Sequence, residues 1–130
     1  MSAAGDLKGS DVDPLVDVIA EFNTAFRAHD LDAIMQLMTD DCVFENTYPA
    51  PGGTRHSGQD EVREAFAQFF QSSPHAEFVT EEMFAAGDRC VVRWTYHWAA
   101  QSDQQSFVRG VDIFRIRDSR VAEKLSYVKG

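Results

Sequence analysis

The stretch that most constrains the fold is the last one, Val108 to Gly130, which reads VRGVDIFRIRDSRVAEKLSYVKG. Two strand-like runs, Val108 to Arg117 and Val121 to Val128, flank the polar pair Asp118-Ser119, which is the pattern of a β-hairpin. Asp112 stands in the first run among Val111, Ile113, Phe114 and Ile116. An aspartate is costly to bury as the anion, so at such a position it must be neutral, paired or useful. If Asp118 and Ser119 form the whole loop, Arg117 faces Arg120, Phe114 faces Glu123 and Asp112 faces Leu125. The face of Asp112 is then expected to carry Phe114, Ile116, Val121, Glu123, Leu125 and Tyr127, with Arg115, Lys124 and Ser126 on the other. A longer loop by one residue would exchange the two faces.

Upstream, Ala76 to Phe84, Cys90 to Ala100 and Gln105 to Arg117 also read as strands, separated by Gly87-Asp88 and Ser102-Asp103. Connections this short join antiparallel neighbours, so the second half of the chain is expected to be a curved meander. In the Cys90 strand, Val92, Trp94, Tyr96 and Trp98 share one face. The first half is helical. Asp13-Pro14 is a helix start, and Leu15, Ile19, Phe22 and Phe26 form one stripe at helical spacing. His29-Asp30 breaks it, and Asp30 caps a short second helix over Leu31 to Met38. Thr39-Asp40-Asp41 ends that helix and Cys42 to Glu45 reads as a short strand. Asn46 to Ser57, with Pro49, Pro51 and Gly52-Gly53, is a loop, and a third helix runs from about Gly58 to Gln71. The resulting layout is an α+β fold: residues 1–11 as a loose tail and residues 12–130 as a single domain with helices packed on one face of the sheet.

Composition excludes several classes of partner. A formal charge of -9 with no balancing basic patch argues against nucleic acid or an anionic membrane. No apolar run reaches membrane-spanning length, and the N-terminal stretch lacks the apolar core of a secretion signal. Cys42 and Cys90 lie in apolar runs without CxxC spacing, so they are expected as buried free thiols in a reducing cytoplasm. The histidines show no metal-ligand spacing and no phosphate-binding glycine loop is present, so neither a metal nor a nucleotide cofactor is expected.

Three motifs carry a family resemblance: Phe26-Arg27-Ala28-His29-Asp30-Leu31-Asp32-Ala33, Met38-Thr39-Asp40-Asp41-Cys42-Val43-Phe44-Glu45, and Arg109-Gly110-Val111-Asp112-Ile113-Phe114 with the closing hairpin. With the order of elements, they make the chain resemble the nuclear transport factor 2-like superfamily, in its ketosteroid-isomerase and polyketide-cyclase-like (SnoaL-type) branch. The resemblance implies a cone, in which a curved antiparallel sheet wraps around the N-terminal helices and leaves an apolar pocket open at one end. In ketosteroid isomerases that pocket holds a general-base aspartate, a tyrosine and a protonated aspartate. Carried over, the protonated aspartate falls on Asp112, the tyrosine on Phe22 and the base on Asn46. Phe22 has no hydroxyl and Asn46 takes no proton, so steroid isomerisation by that mechanism is not expected. Cyclases of the branch manage with one acid or base deep in the pocket, which leaves Asp112 sufficient in principle.

The candidate catalytic residues are therefore Asp112, as acid/base or hydrogen-bond donor, Asn46, whose amide would orient a carbonyl or a water, and His56, a histidine near the expected mouth. Against each stands a structural role: a hydrogen bond from Asp112 to Tyr96 or a water, a loop contact for Asn46, solvent for His56. Glu123 and Arg109 read as rim groups, as a cross-strand ion pair or as solvated charges. The expected ligand-binding residues are Phe22, Phe26, Phe44, Phe66, Trp94, Tyr96, Trp98, Phe114, Leu125 and Tyr127, the alternatives being a partner subunit facing Trp94, Tyr96 and Trp98 and plain core packing for Phe22, Phe26, Phe44 and Phe66. The occupant is expected to be a small, mostly apolar, carbonyl-bearing molecule undergoing an isomerase- or cyclase-like reaction, in a cytoplasmic protein dimerising through its sheet. The alternatives are a non-catalytic ligand carrier and an interaction domain.

Overall fold

Helix α1 (Pro14–Arg27) starts where the sequence places it. The Asp13 side chain accepts the Leu15 N–H at 2.9 Å, and Pro14 occupies the first turn, where no amide donor is needed. Ile19 and Phe22 lie fully buried along its inner stripe. The chain reverses at His29, whose φ of 55° is left-handed, and Asp30 caps α2 (Leu31–Gln36) by accepting from Ala33 N–H. This helix is shorter than the Leu31 to Met38 expected, because Met38 already opens strand β1 (Met38–Glu45). The structure is a computed structural model that describes residues 13–98 and 107–129. The expected tail at residues 1–11 and the Ser102-Asp103 turn lie outside the described residues.

After β1 come β2 (Arg55–Ser57), α3 (Gln59–Ser72), β3 (Glu77–Ala86), β4 (Arg89–His97), β5 (Phe107–Arg117) and β6 (Arg120–Val128). The six strands form one curved sheet in the order β2-β1-β6-β5-β4-β3. Strands β3 to β6 are the expected antiparallel meander. β1 joins the β6 edge in parallel, so the sheet is mixed rather than wholly antiparallel. β2, a strand of three residues within the segment read as a loop, pairs with the outer end of β1. The helices pack on the inner face, where Phe22 meets Phe114 edge-on at 5.5 Å and Phe66 at 6.5 Å. The fold is thus α+β and cone-like.

One side chain ties α2, β1 and α3 together. The Gln59 amide donates to the carbonyl of Met35 in α2 and to those of Met38 and Thr39 at the start of β1, at 3.1, 3.2 and 3.0 Å. Gln59→Ala is expected to lower stability by about 1–3 kcal/mol, the cost of part-buried carbonyls losing their donor, read as a lower urea midpoint. A midpoint unchanged from the native protein would show that water replaces the amide at no cost. Arg117, at the hairpin end, and the Thr39 hydroxyl bond the Asp41 carboxyl and hold it down at about 2.

Cys42 and Cys90 are buried free thiols, pushed up to about 11 by burial, so neither offers a thiolate at neutral pH.

Candidate functional site

The closing hairpin decides what surrounds Asp112. Asp118 and Ser119 take φ of 54° and 62°, and Arg117 pairs with Arg120, as a two-residue loop requires. Beyond the turn, however, Ile116 pairs with Val121 while Arg115 pairs with Glu123, so Ala122 is an extra residue, a β-bulge. Two contacts accompany it: the Val121 N–H is engaged by the Leu37 carbonyl at 2.8 Å, and Val121 and Ala122 are both buried. From there on the faces of β6 are exchanged. Phe114 lies opposite Lys124 and Asp112 opposite Ser126. Lys124 and Ser126 therefore share the inner face with Asp112, whereas Glu123, Leu125 and Tyr127 turn outward. Glu123 pairs there with Arg115 across the strands at 3.5 Å.

Asp112 is paired. The Ser126 hydroxyl donates to its Oδ1 at 2.6 Å, and Lys124 Nζ lies 3.4 Å from its Oδ2. Lys124 also donates to Ser126 Oγ at 3.2 Å, which closes a triangle of three side chains. Both charged residues are 7% exposed. Three aromatic rings also stand around the ammonium: Nζ is 4.9 Å from the Phe44 ring centre, 5.3 Å from Phe26 and 5.9 Å from Phe114. A desolvated cation over ring faces gains on the order of 2 kcal/mol. Tyr96, considered as a partner for Asp112, instead stacks on Phe78 at 4.7 Å.

This cluster is the floor of a cavity of about 380 Å³, within the range of small-molecule sites. Its walls are Phe26, Phe44, Phe66, Phe69, Phe78, Trp94, Tyr96, Ala65, Val108 and Val128, with Asn46, Thr47 and Tyr48 at one end. Tyr48 is 79% exposed, so that end meets solvent. A smaller void of about 30 Å³, lined also by Asn23, Arg27, Thr80 and Val92, adjoins Phe26, Phe78, Trp94, Asp112 and Lys124.

Of the residues singled out in the sequence, Phe26, Phe44, Phe66, Trp94, Tyr96, Asn46 and Asp112 line this cavity. Several do not. Phe22 and Phe114 are fully buried in the packed core. Leu125 and Tyr127 lie on the outer face because of the bulge, and Tyr127 is half exposed. Trp98 follows the end of β4, 46% exposed, with its ring 6.0 Å from Tyr96. His56 stacks on Phe44 from β2 and opens instead onto a shallow groove with Asp60, Glu61 and Glu64. The Asn46 side-chain Oδ1 already accepts from Tyr48 and Thr54 N–H, so its side chain shapes the rim loop. Sequence reasoning missed Lys124 and Ser126; the signal was a lysine and a serine at alternate positions of a strand, assigned to the wrong side by one residue.

Gly110 makes room for the Trp94 wall. A Cβ there would sit 2.5 and 2.6 Å from Trp94 Cη2 and Cζ2 and would also collide with the Tyr127 carbonyl. Gly110→Ala is expected to destabilise by about 1–3 kcal/mol through overpacking and to shift Trp94 fluorescence. An unchanged spectrum and midpoint would mean that the indole is not seated against this strand.

Among the described residues no three His, Cys, Asp or Glu side chains converge as a metal set would, and no helix is long and apolar enough to cross a membrane.

A family model described as a SnoaL-like domain matches residues 19–124. An NTF2-like protein of unknown function from Mesorhizobium loti is 36% identical, with a TM-score of 0.77 over 96% of this chain and 97% of that one. A candidate polyketide cyclase from Sinorhizobium meliloti is 23% identical, with a TM-score of 0.70 over 93% and 100% of the two chains. TerC, crystallised with polyporic acid, is 18% identical, with a TM-score of 0.73 over 90% and 92%. The curated proteins give no significant match.

Proposed function

Because the chain belongs to the SnoaL-like domain family, with the NTF2-like fold, we propose that its cavity binds a small, mostly apolar, carbonyl-bearing molecule and turns it over by acid–base chemistry of the isomerase or cyclase kind. The observation that carries this reading is the Asp112–Ser126–Lys124 triangle in the wall of a mostly apolar, aromatic-rich cavity. The apolar walls suit the body of the ligand, and the triangle offers its carbonyl a charged polar cluster.

The carbonyl oxygen accepts a hydrogen bond from Lys124. Asp112 then takes a proton from the carbon next to the carbonyl, and the negative charge that develops on oxygen rests against the ammonium. Return of that proton to a different carbon is an isomerisation. Attack of the enolate carbon on a second carbonyl is a ring closure, whose alkoxide takes the proton back from Asp112. The name of the Sinorhizobium meliloti neighbour favours the ring-forming variant. A carrier without turnover is the second reading, favoured by the engagement of Asn46 in its own loop and by the missing hydroxyl at Phe22.

The reading includes a cytoplasmic homodimer joined through the sheet. Phe84, Val91, Ile113 and Leu125 form an apolar row across four strands of the outer face, the kind of patch an interface covers. Light scattering at micromolar concentration is expected to give twice the chain mass; the mass of one chain would remove the dimer.

The test of the site is a thermal-shift screen of native protein and Asp112→Asn against ring ketones, enones and aromatic polyketide mimics. A compound that raises the native melting temperature is then assayed for turnover, and conversion by the native protein but not by Asp112→Asn supports the reading. Binding with no conversion by either protein favours the carrier. Binding of none of them turns the weight to an interaction domain.

A further inference from the structure

We propose that Lys124 is a carbonyl-capturing amine, which forms an iminium with the molecule held in the cavity. The inference rests on the reading that a carbonyl compound occupies that space.

A buried pair whose only task is to hold a carboxylate is best served by arginine, which forks onto both oxygens and does not give up its proton. Here the partner is lysine, the side chain that can become a neutral amine in a desolvated site. Its contacts with Asp112 and Ser126 are long, 3.4 and 3.2 Å, and the three rings around it accept no proton and block no lone pair. It borders the larger cavity, so a carbonyl carbon can approach Nζ from that side. Asp112, with the Ser126 hydroxyl 2.6 Å from its oxygen, is the adjacent proton acceptor and donor the reaction needs.

The step balances on these groups. Asp112 takes one proton from the ammonium, and the freed Nζ pair bonds to the carbonyl carbon while the C=O π pair moves to oxygen. The oxygen takes that proton from Asp112, and Asp112 takes a second from the new C–N ammonium, leaving a neutral carbinolamine. Asp112 returns it to the hydroxyl, which departs as water with the C–O pair as the nitrogen pair closes the C=N bond. Ammonium plus carbonyl has become iminium plus water, and the single positive charge is kept. Asp112 is therefore never left as a buried charge without a partner, and the three rings still face a cation. The iminium also acidifies the adjacent C–H toward the same carboxylate.

The chain has three lysines, Lys8, Lys124 and Lys129, so the site of modification is easily located. The native protein and Lys124→Arg are incubated with 2-naphthaldehyde and sodium borohydride, which reduces an imine to a stable amine, and the adducts are mapped by peptide mass spectrometry. Binding of the probe is followed separately by quenching of tryptophan fluorescence. The expected result is modification of Lys124 in at least about tenfold excess over Lys129, reflecting capture of a bound carbonyl, with slower capture in Asp112→Asn. Lys124→Arg, which keeps the charge for Asp112, should quench but gain no adduct in the cavity. Quenching of the native protein with Lys124 unmodified overturns the inference and leaves the bound-ligand reading standing. Neither quenching nor adduct overturns both.

Discussion

Replacing Lys124 with methionine is expected to cost about 3–5 kcal/mol of stability, seen as a large drop in urea midpoint at unchanged slope. The physical cause is what remains behind. Asp112 is 7% exposed and would keep one hydrogen bond, from Ser126, having lost the ammonium it pairs with. Domains of this size are stable by only about 5–15 kcal/mol, so the loss is a large share of the total. The double replacement Asp112→Asn/Lys124→Met removes both charges and should recover most of it, because a neutral pair leaves no buried ion. The interaction energy from the resulting cycle measures the pair itself. A methionine variant less than about 1 kcal/mol below the native protein would mean that water reaches Asp112 freely.

Phe22→Ala is expected to cost about 3–5 kcal/mol and to leave ligand affinity in the folded fraction unchanged. Phe22 is fully buried, 5.5 Å from Phe114, 6.1 Å from Phe26 and 6.5 Å from Phe66, and it is not in the cavity wall. Truncating it empties the seam between α1 and the sheet. Phe69 gives the contrast: it lines the cavity and is only half-buried, so Phe69→Ala should weaken binding more than stability. Denaturant titration and ligand titration of the two variants separate these effects. Loss of affinity without loss of stability in Phe22→Ala would return that residue to the ligand site.

The elements with local signals were legible in the sequence. Asp13-Pro14 marked the start of α1, the apolar stripe marked its inner face, and Asp118-Ser119 marked the hairpin turn. The parallel pairing of β1 with β6 was not legible, because no local pattern records which distant strand completes an edge. β2 was missed because three residues are too few to show alternation. The costliest miss came from a single residue. Ala122 bulges, and since strand side chains alternate with a period of two, every residue after it changes sides. That put Lys124 and Ser126 beside Asp112, and sent Leu125 and Tyr127 out. Asp112 itself was conspicuous as an acid among apolar residues, and of the options open to it the structure selects pairing.

The most direct measurement is exchange of the hydrogens next to the carbonyl of a bound ketone, followed by proton NMR in D₂O with native protein and with Asp112→Asn. The account predicts exchange catalysed by the native protein and slowed by about 10²-fold or more in the variant, the usual contribution of a positioned acid–base group. A ketone that binds both proteins and exchanges equally fast in each would contradict it.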